Sequence, residues 1–211
     1  VNSNKSEIPI LISVVTVVYN GVNFIEDTIL SVTSQSYSNI EYIVIDGGSI
    51  DGTIDIINSY SNKISKIIVE RDNGIYDAMN KSLQFISGSY VIFMNAGDKF
   101  YSTFTLSNLL NIETKNAAII FGGVVVDFDK KFQRYLAPKK LNQIFKGMVF
   151  SHQSVLIKVD LLKTRKYDLN FNITGMGTGQ KVVILYFDET ASTTRTFQVW
   201  NGANQLLNAY N

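Results

Sequence analysis

At 211 residues, with 45% hydrophobic and 18% charged side chains, the chain has the make-up of a globular protein with one good core, which excludes a disordered or fibrous one. A formal net charge of +1 leaves no electrostatic footprint for nucleic acid, and no such partner is expected. The absence of cysteine excludes disulfides and thiolate metal sites and fits a reducing compartment.

No segment approaches the roughly 18 apolar residues of a membrane span. The nearest stretch, Ile8 to Val15 after Lys5, lacks a following small-residue cleavage site and runs into Thr16 and Tyr19. It reads as the entry to a buried strand rather than a signal-peptide core. Ser13 to Val18 is apolar and β-branched almost throughout, as befits a strand covered on both faces. Asn20-Gly21 ends it. Ile25, Ile29 and Val32 recur at helical spacing and predict a helix from about Val22 to Ser36. The same reasoning gives strands at Glu41–Ile45, Lys66–Val69 and Tyr90–Met94, and helices at Ile54–Tyr60 and Tyr76–Ile86. Strands alternating with helices predict βαβ units and a mostly parallel, Rossmann-like α/β sheet.

Each loop that follows a strand then opens on one edge of the sheet, where open α/β sheets bind ligands. These loops carry Tyr19-Asn20, Asp46 to Thr53, Asp72-Asn73-Gly74 and Asn95-Ala96-Gly97-Asp98. The second, Asp46-Gly47-Gly48-Ser49-Ile50-Asp51-Gly52-Thr53, is the most telling. Its glycines let backbone approach a ligand, and its acids can accept hydrogen bonds from a base or sugar or hold a cation. A phosphate cannot sit directly on carboxylates, so a diphosphate here calls for Mg²⁺ or Mn²⁺ as a bridge, with Asp98 the best ligand.

Ser13 to Asn20, then Asp46 to Thr53, resembles the opening of the inverting A-type glycosyltransferases. Arg71-Asp72-Asn73-Gly74-Ile75-Tyr76-Asp77-Ala78-Met79-Asn80-Lys81 is similar to the next block of that family, and Asn95-Ala96-Gly97-Asp98 stands where its acidic metal motif belongs. Ser151-His152-Gln153-Ser154-Val155 resembles a later block in the branch that builds bacterial surface polysaccharides. The likeness covers about residues 10–173. It implies a nucleoside diphosphate sugar as donor, with uridine as its nucleoside, and transfer with inversion to a saccharide or lipid-linked acceptor hydroxyl in polysaccharide or glycolipid synthesis. It implies that Thr16, Tyr19, Asp46, Asp51, Asp72, Gly74 and Asn95 surround the donor and that Asp98 binds the metal. It also implies a cytoplasmic enzyme, with peripheral contact at the inner face of the membrane. The acidic motif is reduced, since Asn95 and Gly97 replace acids often found there.

After Tyr167-Asp168-Leu169-Asn170-Phe171-Asn172-Ile173 the family presents an acidic block that supplies the base for the acceptor hydroxyl. This chain reads Thr174-Gly175-Met176-Gly177-Thr178-Gly179-Gln180-Lys181 instead. Residues 174–211 therefore read as a short β-rich segment outside the family, appended to a 1–173 domain with an incomplete acceptor half. Val182–Phe187 and Thr194–Trp200 are predicted as a strand and its return across a turn at Asp188 to Ser192. No catalytic base is identified; His152, Asp188 and Glu189 are the weak candidates. The alternative is a catalytically impaired remnant that binds the nucleotide sugar without transfer. A nucleotidyltransferase lacks its glycine-rich basic loop after the first strand here, and a dinucleotide-dependent dehydrogenase lacks its G-x-G-x-x-G. Val124–Phe128 and Phe132–Tyr135 predict a hairpin, and the basic clusters at Lys139-Lys140 and Lys163 to Lys166 are candidate contacts for anionic lipid.

Overall fold

The computed structural model describes residues 9–111, 117–128, 132–137, 152–164, 166–167, 182–186, 197–200 and 206–210. Its centre is a six-stranded sheet. Strands β1 (Ile12–Val18), β2 (Ile40–Asp46), β3 (Lys66–Val69) and β4 (Tyr90–Asn95) run parallel, in the order β3-β2-β1-β4. The sheet continues past β4 through β9 (Val155–Lys158) to β6 (Ile119–Phe121), and β9 is antiparallel to both neighbours. A four-stranded sheet has the order β5-β10-β7-β8, from β5 (Lys99–Phe100), β10 (Val182–Tyr186), β7 (Gly123–Phe128) and β8 (Phe132–Leu136). Strands β11 (Phe197–Trp200) and β12 (Leu206–Tyr210) pair with each other.

All seven residues of β1 are buried, because helices cover the parallel sheet on both faces. Val14 and Val18 point into one core with Ile25, Ile29 and Val32 of helix α1 (Ile25–Thr33) and Ile57 of α2 (Thr53–Ser59). The same core takes Leu106 and Leu109 of α4 (Thr105–Asn111). Val15 and Val17 point into the other core, with Ala78 and Met79 of α3 (Ile75–Ser82) and Val159 and Leu162 of α5 (Val159–Thr164). Among the described residues no helix is long and apolar enough to cross a membrane.

Three predicted helix ends move by more than one residue, each for a local reason. Helix α1 begins at Ile25 rather than Val22, because the Val22 amide is drawn to the Asp51 carboxylate and residues 22–24 form a turn. It ends at Thr33 because the next residues bond elsewhere: the Ser36 amide donates to the Thr103 carbonyl and the Gln35 side chain to that of Ser102. Helix α3 stops at Ser82 rather than Ile86. The Leu83 and Phe85 amides reach back only three residues, tightening the chain into a turn that still buries Leu83 and Ile86. The return of β11 onto β10 is not formed. Strand β10 already lies between β5 and β7 and has no free edge to offer, so β11 pairs with β12. The β7–β8 hairpin forms as predicted.

The edge opposite the ligand side is closed by one carboxylate. Ser13 donates its hydroxyl to Glu41, which also accepts from the Ser87 amide (2.9 Å) and hydroxyl (2.6 Å), while the Gly88 amide donates to Ser13 at 3.0 Å. Burial alone would raise the Glu41 carboxyl, but the Ser13 and Ser87 hydrogen bonds outweigh it and hold the group below its ordinary 4.5. A depressed carboxyl stabilises the fold above its unfolded value and loses that contribution as pH falls through the folded one. Glu41→Gln is therefore expected to cost about 1–2 kcal/mol at neutral pH and to lose less stability than the parent on acidification. Urea titrations at pH 7 and pH 3 check this; equal acid losses in both proteins would refute it.

Candidate functional site

The first two loops at the C-terminal edge of the sheet are laced together. Asn20 holds a left-handed backbone (φ 50°), which lets its amide donate to the Ser49 hydroxyl (2.8 Å) while its side-chain oxygen accepts from the Ile50 amide (2.9 Å). The Gly21 amide donates to the Thr53 hydroxyl at 2.9 Å and the Val22 amide to the Asp51 carboxylate at 3.1 Å. Two glycines bring in the remaining loops. A Cβ on Gly47 would lie 2.5 Å from an Asp72 carboxylate oxygen and 3.4 Å from the Tyr19 Cβ. One on Gly21 would meet Val18 at 2.6 Å and Ala96 at 3.3 Å. Thr28 of α1 fixes the fourth loop, accepting from the Gly97 amide (2.8 Å) and donating to the Asp98 carbonyl (3.0 Å). All four loops thus converge, as their placement after parallel strands predicts.

Within this edge the side chains differ sharply in how they are used. Asp46 is fully buried. Its Oδ1 accepts from the Gly48 and Ser49 amides at 2.8 and 2.7 Å, and its Oδ2 has no partner. Asn95 Oδ1 is likewise buried and unpartnered. Among the described residues these are the two buried side-chain oxygen or nitrogen atoms left without a hydrogen bond. They end β2 and β4, the strands on either side of β1, where Asp46 pairs with Val18 and Asn95 with Val17. Burying an unsatisfied acceptor costs about 1–3 kcal/mol, so two at one edge mark a place kept for a ligand's donors.

Asp72 turns one oxygen to the Gly74 amide (2.9 Å) and the other toward Gly47. Gly74, at φ 113°, opens α3 and has no atom within 4 Å of where a Cβ would stand. Tyr19 is 63% exposed beside them, a free aromatic face. Thr16 is placed differently from what the sequence suggests: it is fully buried, its hydroxyl shared with Tyr42 at 3.0 Å, and belongs to the core beneath the edge. Asp51 is accounted for by the loop. Its oxygens accept from Thr53 and Val22, and the Thr53 hydroxyl is the main reason its carboxyl is held low.

Asp98 is 4% exposed and accepts the Asn95 amide on Oδ2 at 3.0 Å. Among the described residues no group of three His, Cys, Asp or Glu side chains could enclose a cation. Asp98 offers one carboxylate at this edge, so a divalent ion would fit here only if a bound ligand and water supplied its other oxygens. Asp188 and Glu189 lie outside the described residues, as do the Lys139-Lys140 pair and the hairpin tip at 129–131.

His152 stands on a short 3₁₀ turn, His152–Ser154, just before β9. Its ring stacks on Phe93 (centroids 6.1 Å), and its Nε2 shares a hydrogen bond of 2.9 Å with the Tyr167 hydroxyl. Tyr167 stacks on Tyr76 at 5.5 Å. Its backbone is clamped at both ends by Asn80 of α3, which accepts from the Tyr167 amide (2.8 Å) and donates to its carbonyl (2.9 Å). This aromatic nest carries no distinctive sequence signal, although Asn80 and Tyr167 both fall in motifs quoted above. Desolvation by burial pushes the His152 imidazole down to about 4.

A family model described as glycosyl transferase family 2 matches residues 13–184. The chain belongs to that family. The match ends inside β10, past the last sequence motif at 173. An uncharacterized glycosyltransferase of Rickettsia bellii is 28% identical over 221 residues, covering 93% of this chain and 31% of the relative. The putative teichuronic acid biosynthesis glycosyltransferase TuaG of Bacillus subtilis is 40% identical over 93 residues, 43% of this chain and 37% of its own length. The chain spans about a third of the length of the relatives from Rickettsia bellii, Rickettsia felis and Rickettsia conorii, and 69% of the one from Rickettsia typhi. Among solved structures, residues 1–349 of TarS from S. aureus, in complex with UDP, align with a TM-score of 0.63 at 19% identity, over 78% of this chain and 52% of that one. The mannosyltransferase PcManGT of Pyrobaculum calidifontis, in complex with GDP-Man and Mn²⁺, aligns with a TM-score of 0.58 at 18% identity, over 78% and 49%. These likenesses fix the fold as the A-type, Rossmann-like sheet of family glycosyltransferases.

The nest makes a prediction about protonation. Between pH 6.5 and about 4 the unfolded chain takes up a proton at His152 that the folded chain refuses, so stability falls across that window as pH drops. His152 is the one histidine in the chain, and its NMR signals are thus unambiguous. They are expected to hold their neutral shifts down to about pH 5. A midpoint near 6.5 would show that the ring is not buried as described.

Proposed function

We infer that this chain binds a nucleoside diphosphate sugar, with a uridine base the best match, and serves inverting transfer of the sugar to an acceptor hydroxyl in polysaccharide or glycolipid synthesis. The unpartnered Oδ2 of Asp46 carries this reading. The uracil ring offers one N–H between two carbonyls, which suits a single buried acceptor held rigid by two backbone amides. Tyr19 covers the base, Asp72 and Gly74 face the nucleoside, and Asn95 accepts from a hydroxyl on its free amide oxygen. The complexes of TarS with UDP and UDP-GlcNAc, and of PcManGT with GDP-Man and Mn²⁺, support a nucleotide-sugar ligand for a chain of this fold.

The reaction is a single displacement. The acceptor oxygen bonds to the anomeric carbon, the bond from that carbon to the diphosphate breaks, and its electron pair leaves with the nucleotide. Asp98 would hold Mg²⁺ or Mn²⁺, and the ion would neutralise charge on the departing diphosphate. The acceptor proton needs a base, and His152 is a poor one: a ring with a value near 4, already hydrogen-bonded to Tyr167, has little driving force to take a proton at neutral pH. That observation also favours the second reading, in which this chain alone holds donor without turning it over.

Calorimetric titration with UDP and GDP, with and without Mn²⁺, tests the assignment. Asp46→Asn keeps the oxygen that accepts the Gly48 and Ser49 amides but sets an N–H donor against the base. It is expected to weaken UDP binding roughly ten-fold to a hundred-fold, the worth of a hydrogen bond to a charged group. Asp98→Asn is expected to leave binding without Mn²⁺ close to the parent and to remove the gain from Mn²⁺. Parent-like behaviour of both variants would overturn the reading. UDP binding without transfer or donor hydrolysis would select the non-catalytic alternative.

A further inference from the structure

A cavity of about 580 Å³ opens between α3 with the turn after it and the end of α5 with Lys166. Asn80, Lys81 and Gln84 line one side, and Lys163 and Lys166 the other. Its charges are not balanced. Lys81 sits between Glu70 at 3.1 Å and Asp77 at 3.3 Å, so the acid in the wall, Asp77, is already matched. Lys163 and Lys166 are exposed and take part in none of the described ion pairs. Among the described residues neither has a carboxylate partner, so two ammonium groups share one hollow without a matching acid. The Asn80 amide is occupied by the Tyr167 backbone, which leaves Gln84 as the neutral polar group facing the space. Leu83 and the lysine stems add apolar wall. The volume falls in the range of small-molecule sites, about 300–1,000 Å³, and exceeds what inorganic phosphate alone fills.

We propose that this hollow is a second, anion-binding site that takes the phosphate of an organic ester, supplied by the head group of an anionic lipid. The ammonium groups of Lys163 and Lys166 close on the phosphate, and the apolar wall faces its substituent. The site shares no residue with the donor edge, so it does not rest on the nucleotide reading.

Flotation of the full chain with vesicles tests it, without nucleotide. Binding is expected to mixed phosphatidylglycerol–phosphatidylcholine vesicles and not to phosphatidylcholine alone. Lys163→Gln with Lys166→Gln is expected to weaken it roughly thirty-fold, about five-fold for each lysine at an anionic surface. Lys63→Gln with Arg134→Gln removes the same charge from exposed positions elsewhere and is expected to leave binding close to the parent, as is Asp46→Asn. Failure to bind anionic vesicles, or equal losses in the two double variants, would overturn the proposal. If glycerol phosphate shifts the NMR signals of the hollow in the parent but not in the Lys163 and Lys166 variant, while vesicles stay unbound, the phosphate comes from a soluble ester and the lipid assignment falls.

Discussion

The Asp46 carboxylate is held by two amides on one oxygen and by nothing on the other. That asymmetry depends on the strand beneath it. β2 is buried between β1 and β3, its last residue is locked in parallel register against Val18, and the chain can leave only by turning through Gly47 and Gly48. Gly48 adopts φ 89°, which turns its amide and that of Ser49 onto the same oxygen. The loop from β1 is then bound to this turn by hydrogen bonds donated by three successive amides and one accepted by the Asn20 side-chain oxygen. Relaxing the turn to satisfy Oδ2 internally would break that lacing. A buried acceptor is thus kept open by the rigidity around it, an arrangement that lowers the reorganisation needed on binding.

The parallel half of the sheet was legible because its signals are local and agree with one another. Apolar β-branched runs, helical spacing and glycine-rich turns alternate, and each strand's far end carries polar residues. Helix limits were less legible because tertiary bonds set them. Val22 leaves the helical path for Asp51, and Gln35 and Ser36 leave it for Ser102 and Thr103, partners remote in the chain. Thr16 shows the corresponding limit for side chains. A polar residue near a strand end can face either the ligand or the core, and Tyr42 across the sheet decides for the core. The acids separate in the same way: Asp46 and Asp51 look alike in the motif, yet one retains a free oxygen and the other closes its own loop.

Tyr167 joins α3 to the turn that leads into β9. Asn80 belongs to the helix that opens at Gly74 on the donor edge, and His152 to the approach to β9; Tyr167 bonds to both. The nest leaves His152 uncharged at neutral pH, which suits a ring that positions its neighbours better than one that moves protons.

The direction of β9 has a consequence for how such chains are read. Parallel strands deliver to the rim the residues that come after them, as β1, β2 and β4 do. β9 runs the other way, pairing Lys158 with Tyr90 and Ile157 with Val91. The 3₁₀ turn His152–Ser154 comes before it and stacks the His152 ring on Phe93 of β4, so this strand presents what precedes it. A scan for functional positions that looks only downstream of each strand will pass over the His152-Gln153 step.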